Sequence, residues 1–138
     1  MATILVVEDE PAIREVTAML LGRCGFVVHT AARPEGALTV IGRHPVDIVL
    51  TEIILHGYCD GCDLAWLLRR IGWSGGFIFT SGDPDAVERA RRMQACAPIL
   101  SKPYGRQTLL CAIDQLNGMR AGPRAALPRS PSRVRLSA

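Results

Sequence analysis

Four groups of polar residues each follow a short apolar run, at the point where a strand would end. They are Glu8-Asp9-Glu10, Thr51-Glu52, Thr80-Ser81-Gly82 and Ser101-Lys102-Pro103. If these groups meet in the fold, their carboxylates repel one another, so that some must take up protons or bind a cation. Oxygen ligands suit a hard divalent ion such as Mg²⁺. A lysine and a hydroxyl beside them can hold phosphoryl oxygens.

Short apolar runs alternate with helical patterns along the chain. Runs at residues 4–7, 26–28, 46–50, 77–79 and 99–100 predict five buried strands. The first helix is predicted from Pro11, with Ile13, Val16 and Leu20 as its apolar stripe, and Asp83-Pro84 predicts the start of the fourth. Apolar strands separated by helices favour a parallel sheet covered on both faces.

The alternation predicts a flavodoxin-like (βα)5 fold, a doubly wound parallel sheet with strand order 2-1-3-4-5, because crossover connections are right-handed. All four polar groups then open on the same edge of the sheet. At least three carboxylates would lie beside one ammonium and one hydroxyl. Such a set suits phosphoryl transfer, in which positioning and charge neutralisation supply most of the catalysis.

Four stretches also resemble the motifs of response-regulator receiver domains, in their order and spacing. They are Val6-Val7-Glu8-Asp9-Glu10, Asp47-Ile48-Val49-Leu50-Thr51-Glu52, Phe79-Thr80-Ser81-Gly82 and Leu100-Ser101-Lys102-Pro103-Tyr104. The similarity covers residues 3–117. It implies a receiver module of a two-component phosphorelay that acts through protein–protein contacts and is not an enzyme. The implied partners are a histidine kinase or histidine phosphotransferase and a downstream protein target.

The resemblance also implies a Mg²⁺ site at the strand ends. Glu8 and Asp9 would be its carboxylates, with Asp9 bound directly and Glu8 through water. The backbone carbonyl of Ile54 would be another ligand, and Glu52 is counted with them.

The same resemblance implies roles for the remaining polar residues. Glu52 stands at the phosphoacceptor position, Thr80 is the switch hydroxyl and Lys102 is the phosphate-facing lysine. The Lys102-Pro103 peptide is expected to be cis.

Three departures from the family pattern bear on function. Glu52 replaces an aspartate, and its extra methylene shifts the carboxylate by about one bond length, which near-attack geometry tolerates poorly. The longer carboxylate is expected to reach toward Lys102 or Thr80 and to imitate the phosphorylated state in part, since it carries one charge where a phosphoryl group carries about two.

Ile99 replaces the usual aromatic switch residue, which weakens the case for a homodimer through the fourth and fifth helices. The loop after Glu52 lacks its usual proline and is one residue longer.

The composition of the chain bears on its domain organisation, its partners and its location in the cell. Residues 1–118 are predicted to form the receiver domain and residues 119–138 a disordered basic tail. Five of the sixteen basic residues follow Asn117 with no acid among them, so the rest of the chain carries a net charge of −2 rather than the +3 of the whole. That balance argues against a nucleic-acid partner. No signal peptide or membrane-length apolar run is visible, and the chain is expected to be cytoplasmic.

Two alternatives to the receiver interpretation remain open at this point. Cys59 and Cys62 form a C-x-x-C pair that could serve a redox- or metal-responsive module. A flavodoxin-like cofactor binder is the other, although acids rather than a phosphate-binding loop follow the first strand.

Overall fold

The computed structural model describes residues 2–57, 59–94 and 96–119. Strands and helices alternate strictly along them. They are β1 Thr3–Val7, α1 Pro11–Arg23, β2 Val27–Ala31, α2 Pro34–Arg43, β3 Ile48–Glu52, α3 Gly61–Arg70, β4 Gly76–Ser81, α4 Pro84–Met93, β5 Ile99–Ser101 and α5 Arg106–Met119. The strands form one parallel sheet in the order β2-β1-β3-β4-β5, which confirms the predicted fold class and strand order.

The sheet is covered by helices on both faces because alternate residues of each central strand point to opposite sides. Leu5 and Val7 of β1 pack in one apolar cluster, which includes residues of α2, α3 and α4. Ile4 and Val6 pack in the other, with residues of α1 and α5. Since β1, β3 and β4 are buried on both faces, only their ends can present polar side chains to solvent.

Every strand differs somewhat from the bounds that the apolar runs predicted, and β2 and β3 differ most. β3 begins at Ile48, two residues late, and runs through Glu52. Asp47 precedes it, and its buried Oδ2 accepts a hydrogen bond of 2.8 Å from the amide of Thr3. β2 extends to Ala31 through polar residues, because a strand at the edge of a sheet needs no continuous apolar run.

The apolar stripe predicted for α1 is partly buried only at Leu20, which packs against the core. Ile13 and Val16 are 38% and 65% exposed, whereas Thr17 and Leu21 face the core. Thr17 and Leu21 are one turn apart and lie on the same side of the helix. The helix therefore leaves an apolar surface in solvent beside the ends of the strands.

Other predicted features hold, and one falls mostly beyond the described part of the chain. Asp83 caps α4, its side chain accepting a hydrogen bond of 3.0 Å from the amide of Asp85, and Pro84 is the first helical residue. The predicted tail at residues 119–138 lies outside the described residues except for Met119, where α5 ends. In the described ranges, no helix has the length and apolar character needed to span a membrane.

Candidate functional site

The polar groups at the strand ends meet because parallel strands finish at the same edge of the sheet. The register pairs Val7 with Thr51, Glu52 with Thr80, and Ser81 with Ser101. Glu8 and Lys102 are the next residues after β1 and β5. The side chains that the sequence analysis grouped by pattern are thus neighbours in space.

Lys102 lies between two buried carboxylates. Its Nζ is 2.6 Å from Glu52 Oε1 and 2.7 Å from Glu8 Oε1. The side chains of Lys102, Glu8 and Glu52 are only 18%, 6% and 8% exposed. Charge-assisted hydrogen bonds of this length are about twice as strong as neutral ones. The ammonium therefore supplies much of the positive charge that two buried carboxylates require.

The second oxygen of each glutamate is also engaged. Glu8 Oε2 accepts a hydrogen bond of 3.2 Å from the amide of Glu10, and Glu52 Oε2 accepts one of 3.0 Å from the amide of Ile54. Ile54 was predicted to contribute its backbone carbonyl to a metal. The structure shows its amide bound to Glu52, and the role of its carbonyl stays a prediction.

The pKa values of Glu8 and Lys102 follow from burial and from this pairing. Burial raises the pKa of Glu8, and the hydrogen bond with Lys102 offsets only part of that effect. Burial on its own would lower the pKa of Lys102, but the hydrogen bonds with Glu52 and Glu8 outweigh it, so the pKa is raised. The ammonium is consequently held in its charged form between its two partners.

The loop after β3 is fitted tightly against Glu52. The amide of Gly61 donates a hydrogen bond of 2.7 Å to the carbonyl of Ile53, and a Cβ at position 61 would lie 2.3 Å from the carbonyl oxygen of Glu52. Only glycine allows that approach. Asp60 and Asp63 then form a capping box at the start of α3. The returning helix therefore fixes the backbone that carries Glu52.

Asp9 has a different partner from the two glutamates. Its Oδ2 is in contact with Nδ1 of His56 and accepts a hydrogen bond of 3.2 Å from the amide of the same residue. The Asp9 side chain is 19% exposed, but that of His56 is 93% exposed. His56 is not among the site residues predicted from the sequence, although the missing proline marked this loop as unusual.

Thr80 is buried at the centre of the strand ends. It is paired with Glu52 in the sheet, and its carbonyl accepts a hydrogen bond of 2.8 Å from the amide of Ile53. Of the two predicted targets of Glu52, the structure shows Lys102; within the described part of the chain no hydrogen bond joins Glu52 to the Thr80 hydroxyl. Ser81 accepts a hydrogen bond of 3.1 Å from the amide of Asp83 and so supports the start of α4.

The carboxylates are of the right chemical type for the predicted metal, since Mg²⁺ prefers oxygen ligands. Glu8 and Glu52 converge on the ammonium of Lys102, whereas Asp9 contacts His56. In residues 2–57, 59–94 and 96–119, no group of three or more His, Cys, Asp or Glu side chains is arranged as a metal site. Lys102 and His56 are the partners of these carboxylates, so a cation would compete with them for the carboxylate oxygens.

Lys102 is also the only lysine in the sequence, against fifteen arginines. Lysine carries a compact point charge with three donors, whereas arginine presents a broad planar fork. The compact group suits a narrow buried space between two carboxylates. This bias in composition is a signal that could have identified Lys102 without any motif.

The cysteine pair gives no support to the redox alternative. Cys62 is buried and Cys59 half-buried, and both are free thiols. Burial, the largest cause, together with the carboxylates of Asp60 and Asp63 raises the pKa of each to about 11. Reactive cysteines have a lowered pKa, so these thiols are suited to packing.

The predicted cis peptide is present between Lys102 and Pro103.

Comparisons with known proteins point to the same kind of domain as the fold and the site. The family model for the response regulator receiver domain matches residues 4–114. The sensor kinase CckA of Brucella abortus is 33% identical over 118 residues, covering 83% of this chain and 12% of CckA. The transcriptional regulatory protein KdpE of Mycobacterium tuberculosis is 30% identical over 115 residues, covering 82% of this chain and 50% of KdpE.

Solved structures agree as well. A response regulator receiver domain protein from Clostridium thermocellum has a TM-score of 0.77 and 26% identity, covering 88% of this chain and 98% of that one. The match to the family model extends over most of the described residues and includes all four polar groups. The chain therefore belongs to the response regulator receiver family and is a receiver domain of two-component signalling.

Proposed function

We propose that this receiver signals in a single state, independent of phosphorylation, because Glu52 occupies the place of the phosphoryl group's charge. The observation that supports this most directly is the 2.6 Å contact between Glu52 Oε1 and Lys102 Nζ. Receiver domains are generally signalling modules, and we propose that this one acts by contact with other proteins rather than as an enzyme.

The contacts of Glu52 also argue against its phosphorylation. A phosphoryl group on its carboxylate would need positive charge and hydrogen-bond donors at once. The nearest ones, the ammonium of Lys102 and the amide of Ile54, are already bound to the two Glu52 oxygens. Attack on a phosphodonor would have to start from a carboxylate that both contacts hold in place, and the extra methylene would misplace the nucleophile.

We further propose that Mg²⁺, the ion that receiver domains typically bind for phosphorylation, would be held here by Asp9 and Glu8. When bound, the ion would neutralise negative charge in the pocket. Asp9 is the more available of the two, because the oxygens of Glu8 are bound to Lys102 and to the amide of Glu10.

The partner surface that we propose lies on α1, beside the pocket. A groove of about 450 Å³ is lined by residues of α1 and of the segment that follows β5. They are Ile13, Val16, Thr17, Leu20, Lys102, Pro103 and Tyr104. Ile13 and Val16 are exposed, and exposed apolar surface next to a charged site is typical of protein contacts. A histidine kinase or histidine phosphotransferase is the proposed occupant.

Intact-mass measurement after treatment with an acyl phosphate and Mg²⁺ tests the single-state proposal. We expect no phosphoryl adduct on the wild-type protein and an adduct on Glu52→Asp, whose shorter side chain leaves Lys102 free to hold the incoming group. The Glu52→Gln variant is the matched control. A stable adduct on the wild-type protein that disappears in Glu52→Gln would refute the proposal.

The partner surface can be tested in the Glu52→Asp background with purified histidine kinases as phosphodonors. We expect Val16→Glu to slow transfer from the kinase and to leave modification by acyl phosphate unchanged. Val27→Glu is a control, because Val27 is also an exposed valine, 47% exposed, but lies on the edge strand β2. Equal transfer in both variants would exclude the α1 surface.

A further inference from the structure

The contact between His56 and Asp9 distinguishes one carboxylate of the pocket from the other two. Glu8 and Glu52 share a cation from the interior of the fold, whereas Asp9 is covered from the solvent side by an exposed imidazole. The loop shape supports this position. Gly57, directly after His56, has a φ of +107°, which favours glycine and lets the chain turn back over the strand ends.

We propose that the imidazole of His56 is a built-in competitor for divalent cations at Asp9. This inference rests on the proposed metal site and adds a residue that regulates it. The imidazole and a cation would compete for the same electron pairs on Oδ2, so the cation binds fully only when the His56 side chain leaves.

The competition is weak enough to be reversible, because little else holds His56. Its side chain is 93% exposed and gains no burial from its position. The amide of His56 also donates to Asp9 Oδ2, and it is part of the backbone. The side chain can therefore leave while the backbone contact keeps the loop over Asp9.

Removing the imidazole should strengthen cation binding without removing a ligand. We expect His56→Ala to bind Mg²⁺ about two- to fivefold more tightly than the wild-type protein, the factor that corresponds to the loss of one exposed contact between a basic side chain and a carboxylate. His56→Lys should bind Mg²⁺ more weakly than wild type, because a permanent ammonium would compete more strongly for the same oxygen.

The experiment is a Mg²⁺ titration at constant pH and ionic strength, followed by the backbone amide signals of residues 54–57 in NMR spectra. His44→Ala is the matched control. His44 is another exposed histidine, but it stacks on His29 and precedes β3, at the opposite edge of the sheet from the pocket. Asp9→Asn tests whether the titrated site is the proposed one, and it should abolish the response.

The outcomes separate this inference from the proposed function. Tighter binding in His56→Ala with unchanged binding in His44→Ala supports the competitor role. Equal or weaker binding in His56→Ala overturns it, and weaker binding would identify His56 as a ligand of the ion. If neither the wild-type protein nor any variant binds Mg²⁺, the competitor role of His56 and the proposed metal site both fail. The single-state proposal is unaffected, because it is tested separately by intact-mass measurement of phosphorylation.

Discussion

The two sides of the pocket contain the same kind of interaction in very different surroundings. On the interior side, Lys102 and its two glutamates are at most 18% exposed; on the solvent side, His56 is 93% exposed. Removing one member of a buried ion pair leaves an uncompensated charge, whereas an exposed pair is screened by water. Burial, rather than the length of the contact, therefore determines what each interaction contributes.

The largest expected effect comes from removing the shared cation. Lys102→Met should lower the free energy of unfolding at neutral pH by about 3 kcal/mol, the lower end of the range for an uncompensated buried charge, because Glu8 and Glu52 each keep a hydrogen bond from a backbone amide. Urea denaturation measures it. Arg92→Met, which removes an exposed ion pair with Glu88, is the control and should change stability by less than about 0.5 kcal/mol. Similar losses in both variants would contradict the comparison.

Raising the pH should remove the advantage of the wild-type lysine. Because the pKa of Lys102 is raised above its ordinary value of 10.5, the ammonium contributes stability that is fully present below pH 10.5 and is lost as the pH rises through the folded-state pKa. The difference in unfolding free energy between wild type and Lys102→Met should thus be constant from neutral pH to pH 10.5 and shrink above it. If the difference in unfolding free energy grows above pH 10.5, the charged form of Lys102 does not stabilise the fold in this way.

Removing one of the two carboxylates should have an intermediate effect, because Lys102 keeps its other partner. Glu52→Gln is expected to cost about 1.5 kcal/mol, the contribution of one hydrogen bond to a charged group. Labelling with [15N]lysine gives a single side-chain ammonium signal, since the chain has one lysine. That signal should shift and exchange faster with water in Glu52→Gln. An unchanged signal would mean that Glu52 does not hold the ammonium in solution.

The smallest effect is expected on the solvent side. His56→Ala should change the free energy of unfolding by less than about 0.5 kcal/mol, because the imidazole is exposed and its backbone contact with Asp9 is retained. The same denaturation measurement applies, with His44→Ala for comparison. A loss comparable to that of Glu52→Gln would show that burial does not separate the two sides.

Much of the fold was predictable because the information is local. Each central strand is an apolar run, and each run ends in polar residues, so the sheet edge that carries the site follows from the sequence. The cap of α4 was predictable for the same reason, since Asp83 and Pro84 act on neighbouring backbone groups. The position of β2 was less predictable, because an edge strand is half exposed and lacks a continuous apolar pattern.

The buried face of α1 could not be obtained from its pattern. Ile13 and Val16 have the spacing of a core stripe, yet they lie in solvent while Thr17 is buried. Helical spacing shows which residues share a face, but the rotation of the helix is set by the elements it packs against. In α1 that rotation leaves the apolar face beside the pocket.

The sequence by itself determined that Glu8, Glu52 and Lys102 lie at the carboxyl ends of strands in one sheet, and that a glutamate stands where the family carries aspartate. Only the tertiary structure decided how the charges are shared. Residues 47 or more positions apart in the chain meet there: Lys102 between Glu8 and Glu52, and His56 on Asp9. Contacts of that range depend on how the loops close over the sheet, to within less than a hydrogen-bond length, and no local pattern encodes such a distance.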